Sequence, residues 1–174
     1  MKIERITNDN HPLYEIAIET YKKSFPFHEQ RETFSRSEIL CKDSYHFDAV
    51  TDDDLFVGAI LYWEVGDFLY IEHFWVSPDM RNRHYGQRIL EEIQTKPLIL
   101  EIDPVIDEIS RRRQNFYERC GFVDNPYQHV HPPYHKGYSG HQLVVMSFPR
   151  KLTTDEYEMF NDFLKNTIMK DAYR

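Results

Sequence analysis

The spacing of hydrophobic residues along the chain alternates between the period of an α-helix and that of a β-strand. Each change of period predicts the start of a new element. Apolar residues first recur at helical spacing between positions 13 and 21, and a second helical stretch is predicted at 35–41. From residue 45 the spacing shortens to the period of β-strands. Strands are predicted at 2–6, 45–50, 55–65 and 68–76, and the turn pair Gly66-Asp67 joins the last two into a hairpin.

Helices and strands alternate in the second half of the chain. The predicted order is a helix ending at Pro97, a strand at 98–102, a helix at 107–120, a strand at 142–148 and a final helix capped by Thr153 and Glu156. The 107–120 helix is expected to bury a stripe made of Ile106, Ile109, Phe116 and Cys120. No repeat, linker or low-complexity segment interrupts the pattern, which indicates one α/β domain.

Composition and charge exclude several functional classes. The 174 residues are 41% hydrophobic and 15% aromatic, which is enough apolar material for a core. The net charge of −8 and the lack of a long basic run argue against nucleic-acid binding. No apolar run reaches membrane-spanning length and no signal peptide precedes the first strand, so the protein is predicted to be cytoplasmic, without a membrane partner. Cys41 and Cys120 lack metal or redox spacing and are expected to be core thiols.

The stretch 70–90 combines a strand, a basic loop and a helix. An apolar and aromatic run ends at a turn, 77–79, and the loop 81–86 then carries two arginines, an asparagine and a histidine. Free N–H groups in the first turn of a helix attract anions, and arginine binds phosphate oxygens through charge-assisted hydrogen bonds. This stretch therefore predicts a phosphate or pyrophosphate site.

Two motifs resemble a known family. Val76-x-Pro78-x-x-Arg81-x-x-x-x-Gly86, between a strand and a helix, resembles the acetyl-CoA-binding signature of the GNAT (GCN5-related N-acetyltransferase) family. The segment 115–122, NFYERCGF, resembles the F-Y-E-x-x-G-F segment of that family. The resemblance implies an α/β (α+β) domain at 1–150, with a mixed, mostly antiparallel twisted sheet and helices on both faces. The extra C-terminal helix, in 151–174, is expected to pack on this domain or on a partner subunit.

The resemblance also implies a function. It predicts an acetyl-CoA-dependent N-acetyltransferase that moves an acetyl group directly to a primary amine of a small molecule or peptide. The alternative is a non-catalytic acyl-CoA-binding or sensor module on the same fold. The expected cosubstrate is acetyl-CoA, no metal is expected, and a homodimer is one expectation for the assembly.

The cofactor contacts follow from the resemblance. The backbone of Trp75 and Val76 is expected to face the pantetheine arm. The predicted pyrophosphate loop comprises Arg81, Asn82, Arg83, His84, Tyr85, Gly86 and Gln87. Because His84 stands where the family usually has glycine, its backbone must adopt a conformation that a side chain tolerates. Ser110 replaces a common asparagine and is also predicted to bind the cofactor.

The catalytic predictions rest on one tyrosine and one carboxylate. Tyr117 matches the tyrosine that acts as general acid for the departing CoA thiolate, and its alternative role is that of an aromatic anchor. Glu72 resembles a glutamate that some family members use as a base, and its alternative is a surface or ion-paired carboxylate. Because strand neighbours alternate, Glu72 and His73 are expected on opposite sheet faces. Glu101 is a second carboxylate candidate, with a structural role favoured.

The loop 129–140 is predicted to border the acceptor site. Tyr134, His135 and Tyr138 are expected to help select the substrate, and an exposed loop without such a role is the alternative. Histidines are frequent in and beside this loop, but no cysteine or acidic ligand accompanies them in sequence, which disfavours a metal site. The acidic balance of the chain favours a cationic amine.

Overall fold

A computed structural model describes residues 1–173, and its centre is one sheet of eight strands. The strands are β1 (Lys2–Arg5), β2 (Tyr45–Asp52), β3 (Leu55–Val65), β4 (Phe68–Val76), β5 (Leu98–Ile102), β6 (Val123–Asp124), β7 (His129–His131) and β8 (His141–Phe148). Their order is β1-β2-β3-β4-β5-β8-β6, and β7 pairs with β8 outside this path. Only β4 and β5 run parallel within residues 1–173, which confirms the predicted mixed, mostly antiparallel sheet.

Five α-helices cover the sheet. They are α1 (Tyr14–Ser24), α2 (Thr33–Ile39), α3 (Tyr85–Ile93), α4 (Glu108–Arg119) and α5 (Thr154–Phe163), and a π-helical turn, Leu164–Ile168, extends α5. Residues of α1, α2 and α5 share one buried cluster with the sheet, whereas α3 and α4 contribute to a second cluster on the opposite face. Helices therefore cover both faces, as predicted.

The C-terminal helix packs on its own sheet. Phe160 of α5 is fully buried, and its ring centroid lies 5.0 Å from that of Tyr70 on β4. Leu164 and Ile168 continue the same buried stripe. Thr153 and Glu156 form the expected capping box, which begins the helix at Thr154.

Two burial predictions are wrong. Ile106 and Ile109 are 85% and 70% exposed, because a capping box between Asp107 and Ser110 begins α4 at Glu108 and turns Ser110, not Ile109, toward the sheet. Cys41 is exposed, since it follows the end of α2, whereas Cys120 is partly buried; both are free thiols.

Candidate active site

The parallel strands β4 and β5 separate, and this separation opens the main cleft. They pair only from Leu69 and Leu98 to Ile71 and Leu100, although β4 continues as far as Val76. The cleft has a volume of about 1460 Å³ and is lined by β4, β5, the start of α3, one face of α4 and the segment between β7 and β8. The backbone of β4 beyond Ile71 therefore has an edge that faces a cavity instead of another strand.

A β-bulge in β4 determines which side chains of this strand face the cleft. Two adjacent residues of β3 pair with Ile71 and His73, which leaves Glu72 as the extra residue of the bulge. Tyr134 donates to Glu72 at 3.1 Å, and the same tyrosine ring lies 5.7 Å from the ring of His73. The prediction that Glu72 and His73 occupy opposite faces is wrong, because the bulge interrupts the alternation between them.

The helix α3 begins at the cleft with an uncapped N-terminus. His84 is the N-cap residue with φ 60° and ψ 11°, and no side chain caps the helix. The N–H groups of the first turn, residues 85–87, have no acceptor within the helix and are available to an anionic ligand. His84 thus adopts the left-handed conformation that favours glycine but that histidine tolerates. This is the backbone adjustment that the sequence required of it.

Gly86 allows α3 to approach α4 closely. A Cβ atom at position 86 would lie 3.0 Å from Cζ of Phe116, which is tighter than an ordinary van der Waals contact. Both residues line the cleft. The glycine is therefore required by helix packing beside the predicted pyrophosphate loop.

Most of the residues predicted to contact the cofactor line the cleft. They are Trp75, Val76, Arg81, Asn82, His84, Tyr85, Gly86 and Gln87. Arg83 is exposed outside the lining. Ser110 is also outside it, since its hydroxyl and amide are engaged with Asp107 in the α4 capping box. Cofactor binding by Ser110 remains a prediction.

Tyr117 lies on the cleft face of α4. The side chain is buried, and its ring packs against Phe116 and Phe122 with centroids 5.1 and 5.5 Å apart. Burial raises the pKa of Tyr117 to about 12. The phenol therefore carries its proton at neutral pH, as a proton donor must, and it also serves as an aromatic anchor.

Glu72 is fixed in a buried ion pair. Arg31 donates to its carboxylate from Nε and Nη2 at 3.1 and 2.8 Å, and Trp63 donates from Nε1 at 2.7 Å. Burial opposes ionisation, but the charge of Arg31 and these donors outweigh it and lower the pKa of Glu72 to about 2. A carboxylate with so low a pKa is a weak base, so this environment does not suit the predicted role of general base.

A second buried carboxylate, Glu101, lies across the cleft on β5. Its Oε2 accepts a hydrogen bond from Tyr70 at 2.5 Å, and its Oε1 accepts one from His129. Nε2 of His131 lies 3.8 Å from Oε2. Burial would raise the pKa of Glu101, but His131 and His129 outweigh it, so the pKa lies below its usual value. Glu101 and His131 both line the cleft.

The residues predicted to select the acceptor have different environments. Tyr134 is buried in the cleft wall, where it bonds Glu72, and Tyr138 is half exposed at the cleft mouth. His135 does not line the cleft. Its ring stacks on Phe27 at 4.1 Å, and it bonds the Phe27 carbonyl at 2.9 Å, which ties the loop to the segment after α1.

The sequence model of the Acetyltransferase (GNAT) family matches residues 10–122. The chain belongs to the GNAT acetyltransferase family. A solved structure from Bacteroides thetaiotaomicron, assigned to the same family, is 31% identical, covers 97% of this chain and 98% of its own, and superposes with a TM-score of 0.89.

Two further matches to this GNAT protein are more distant, one a curated sequence and one a solved structure that shares the fold. YjbC of Bacillus subtilis (strain 168), assigned as an acetyltransferase, is 26% identical over 110 residues. That match spans 60% of this chain and 55% of YjbC, so the chain spans about half the length of this curated relative. The structure of an aminoglycoside 6'-N-acetyltransferase complexed with coenzyme A is 14% identical, covers 84% of this chain and 96% of its own, and has a TM-score of 0.56.

Several residues in or beside the cleft of this GNAT protein could not be found by sequence reasoning. Arg31, outside the cleft lining, is one, because its pairing with Glu72 joins positions 41 residues apart. A group at the cleft mouth is another: donor atoms of His28, Glu29 and His141 lie within 4.8 Å of one another and could hold a metal ion. Among residues 1–173, no helix combines the length and apolar character needed to cross a membrane.

Proposed function

We propose that this GNAT protein transfers an acetyl group from acetyl-CoA directly to a primary amine. The observation that carries the proposal is the open edge of β4 beside the uncapped start of α3, with Tyr117 in the same cleft. A long cavity with a free strand edge at one side and free helix amides at its end suits a ligand with an extended amide chain and a pyrophosphate.

In this proposal the cosubstrate lies along the cleft. Backbone groups of Trp75 and Val76 contact the pantetheine arm, and the first-turn amides of α3 bind the pyrophosphate with Arg81 beside them. The aminoglycoside acetyltransferase that shares this fold was solved with coenzyme A, which supports acetyl-CoA as the cosubstrate. No residue of the described chain needs to carry the acetyl group, because the amine attacks the thioester itself.

The chemistry requires two proton transfers. The neutral amine nitrogen forms a bond to the thioester carbon, the carbon–sulfur bond breaks, and the CoA thiolate takes a proton from Tyr117 while the nitrogen loses one to a base. An amine that binds as a cation releases one further proton before the attack. Tyr117 suits the donor role by its position, because its side chain lines the cleft and its phenol is protonated at neutral pH. A general acid of this kind contributes on the order of 10²-fold or more in rate.

The acceptor is proposed to be a cationic amine of a small molecule or peptide. Glu29, Glu101 and Asp103 line the cleft, and together with the net charge of −8 they favour a positively charged ligand. A homodimer, which the sequence leaves open, is compatible with this site, since every residue invoked belongs to one chain.

The test is acetyl-CoA turnover across a panel of polyamines, aminoglycosides, amino acids and peptides. We expect release of CoA and N-acetylated product with at least one amine. Tyr117→Phe should lower kcat on the order of 10²-fold while CoA binding persists. Tyr173→Phe, outside the cleft lining, is the matched control and should leave kcat unchanged.

Two results decide against the proposal. Tight CoA binding without turnover on any amine would favour a non-catalytic acyl-CoA sensor. Failure to bind CoA by calorimetry would contradict both readings.

A further inference from the structure

The acetyl-transfer reaction needs a base that the sequence does not identify. The acceptor amine must lose a proton before or during its attack on the thioester. Glu72, the residue predicted for this role, is ionised against Arg31 and has a pKa of about 2. His73, its neighbour in the bulge, is enclosed by Tyr21 and Phe25, and burial lowers its pKa. Nε2 of His73 is also engaged with the Glu29 carbonyl at 2.9 Å, so neither of these two side chains suits the role of base.

His131 has the geometry of a base in the cleft wall. It ends β7, lines the cleft, and is only 4% exposed, with its ring stacked 5.0 Å from that of Tyr134. Nδ1 lies 2.6 Å from the carbonyl oxygen of Pro132. Because a carbonyl can only accept a hydrogen bond, Nδ1 donates to it, and in the neutral imidazole Nε2 then carries the lone pair.

The Nε2 atom of His131 is buried without a hydrogen-bond partner in the part of the chain that the structure describes. Its nearest charged neighbour is the Glu101 carboxylate, 3.8 Å away, which is too far for a hydrogen bond. In the neutral imidazole, Nε2 is thus an unsatisfied acceptor beside a carboxylate oxygen that already accepts from Tyr70. A buried acceptor without a partner is costly, and a proton on Nε2 would face the carboxylate.

We propose that His131 is the general base of the reaction, and that Glu101 stabilises the imidazolium that forms. The acceptor amine binds in the cleft beside His131 and Glu101, and one proton of its neutral nitrogen passes to Nε2 as that nitrogen forms its bond to the thioester carbon. The electron pair of the broken carbon–sulfur bond leaves on the thiolate. The inference rests on the proposed function and names the site at which the amine is bound.

Glu101 is itself fixed for this positioning role. Tyr70 and His129 donate to it from β4 and β7, and His129 is held in turn by the hydroxyl of Tyr157 at 3.0 Å from Nδ1. Other titratable groups near His131 are Tyr134, stacked on its ring, and His73 on β4. Neither of these two groups carries a negative charge at neutral pH, whereas the Glu101 carboxylate lies 3.8 Å from Nε2.

The first experiment compares pH–rate profiles on an amine that the wild type acetylates. His131→Gln should lower kcat on the order of 10²-fold and abolish the acid limb, with the Kd for CoA unchanged. Glu101→Gln should move the acid limb to lower pH, since the imidazolium loses its counter-ion. His46→Gln, which lies outside the cleft lining, is the control and should keep the wild-type profile. A His131→Gln enzyme that keeps kcat within threefold and retains the acid limb would overturn the proposal.

A second measurement does not depend on turnover. Imidazole ¹⁵N NMR of the full chain should show His131 with hydrogen on Nδ1 and a lone pair on Nε2, and its titration should shift in Glu101→Gln. The opposite tautomer, or a titration indifferent to Glu101, would overturn the proposal even if no acceptor amine has been found. Absence of turnover with the predicted tautomer present would instead count against the proposed function.

Discussion

Arg31 and Glu72 form a buried ion pair at the cleft, with Nη2 2.8 Å from Oε1 and both side chains at most 3% exposed. The pair joins the segment before α2 to the bulge of β4. Arg31 also donates to the Ile168 carbonyl at 3.0 Å, so the same guanidinium reaches the end of the C-terminal helix. The strand that lines the cleft is thereby tied to two elements that are distant in sequence.

Glu72→Gln is expected to destabilise the fold strongly. It leaves the buried charge of Arg31 without a counter-ion, and breaking such a pair costs about 3–5 kcal/mol. Urea denaturation of wild type and variant measures the difference. Glu64→Gln is the matched control, since Glu64 is 43% exposed in its pairing with Lys96 and should lose under about 1 kcal/mol. Equal losses in the two variants would contradict the prediction.

The stability of the wild type should fall in acid because of Glu72. Its pKa is about 2 in the folded protein against 4.5 normally, so the ion pair stabilises the fold above pH 4.5 and is lost as the pH falls toward 2. The shift corresponds to about 3 kcal/mol at neutral pH. Glu101, whose pKa is also lowered, adds to the same trend. Denaturation experiments at pH 6, 4 and 3 measure how the free energy of unfolding depends on pH. The double variant Arg31→Met/Glu72→Leu, which has neither charge, should show a flatter profile.

The effect of a substitution at His84 on stability should depend on how well the new residue tolerates the left-handed backbone conformation. His84 holds a left-handed conformation that costs residues with a side chain about 1–2 kcal/mol. His84→Gly removes this cost from the folded state, but glycine also raises the conformational entropy of the unfolded chain. The net change in the free energy of unfolding should therefore stay within about 1 kcal/mol. His84→Val should destabilise by about 1–2 kcal/mol, because a β-branched side chain resists positive φ. Thermal unfolding distinguishes the two. Arg83→Val, at a neighbouring residue without positive φ, should be nearly neutral.

Gly86→Val should separate α3 from α4. The added side chain meets Phe116 at 3.0 Å or less, and overpacking of this kind costs about 1–3 kcal/mol. CoA affinity should fall as well, since the first-turn amides move with the helix. Calorimetry with CoA and urea denaturation measure the two effects. Adding Phe116→Leu should recover part of both losses, and a double variant no better than Gly86→Val would refute the packing explanation.

The sequence determined the fold class and predicted the cofactor side of the site because those signals are local. The hydrophobic periods predict the main strands and helices, and the motif from Val76 to Gly86 lies within one strand, one loop and one helix. His84 could be identified as a special backbone position for the same reason. A family pattern read along a short stretch needs no knowledge of what packs against it.

Tertiary structure decided the environments of the two carboxylates in the cleft. The bulge at Glu72 depends on register with β3, and the pairings of Glu72 with Arg31 and of Glu101 with His131 join residues 41 and 30 positions apart. Basicity is set by burial and by the nearest charge, and both arise only when the sheet, its helices and the loop before β8 come together. The role of a carboxylate in this cleft therefore depends on neighbours that its place in the sequence does not reveal.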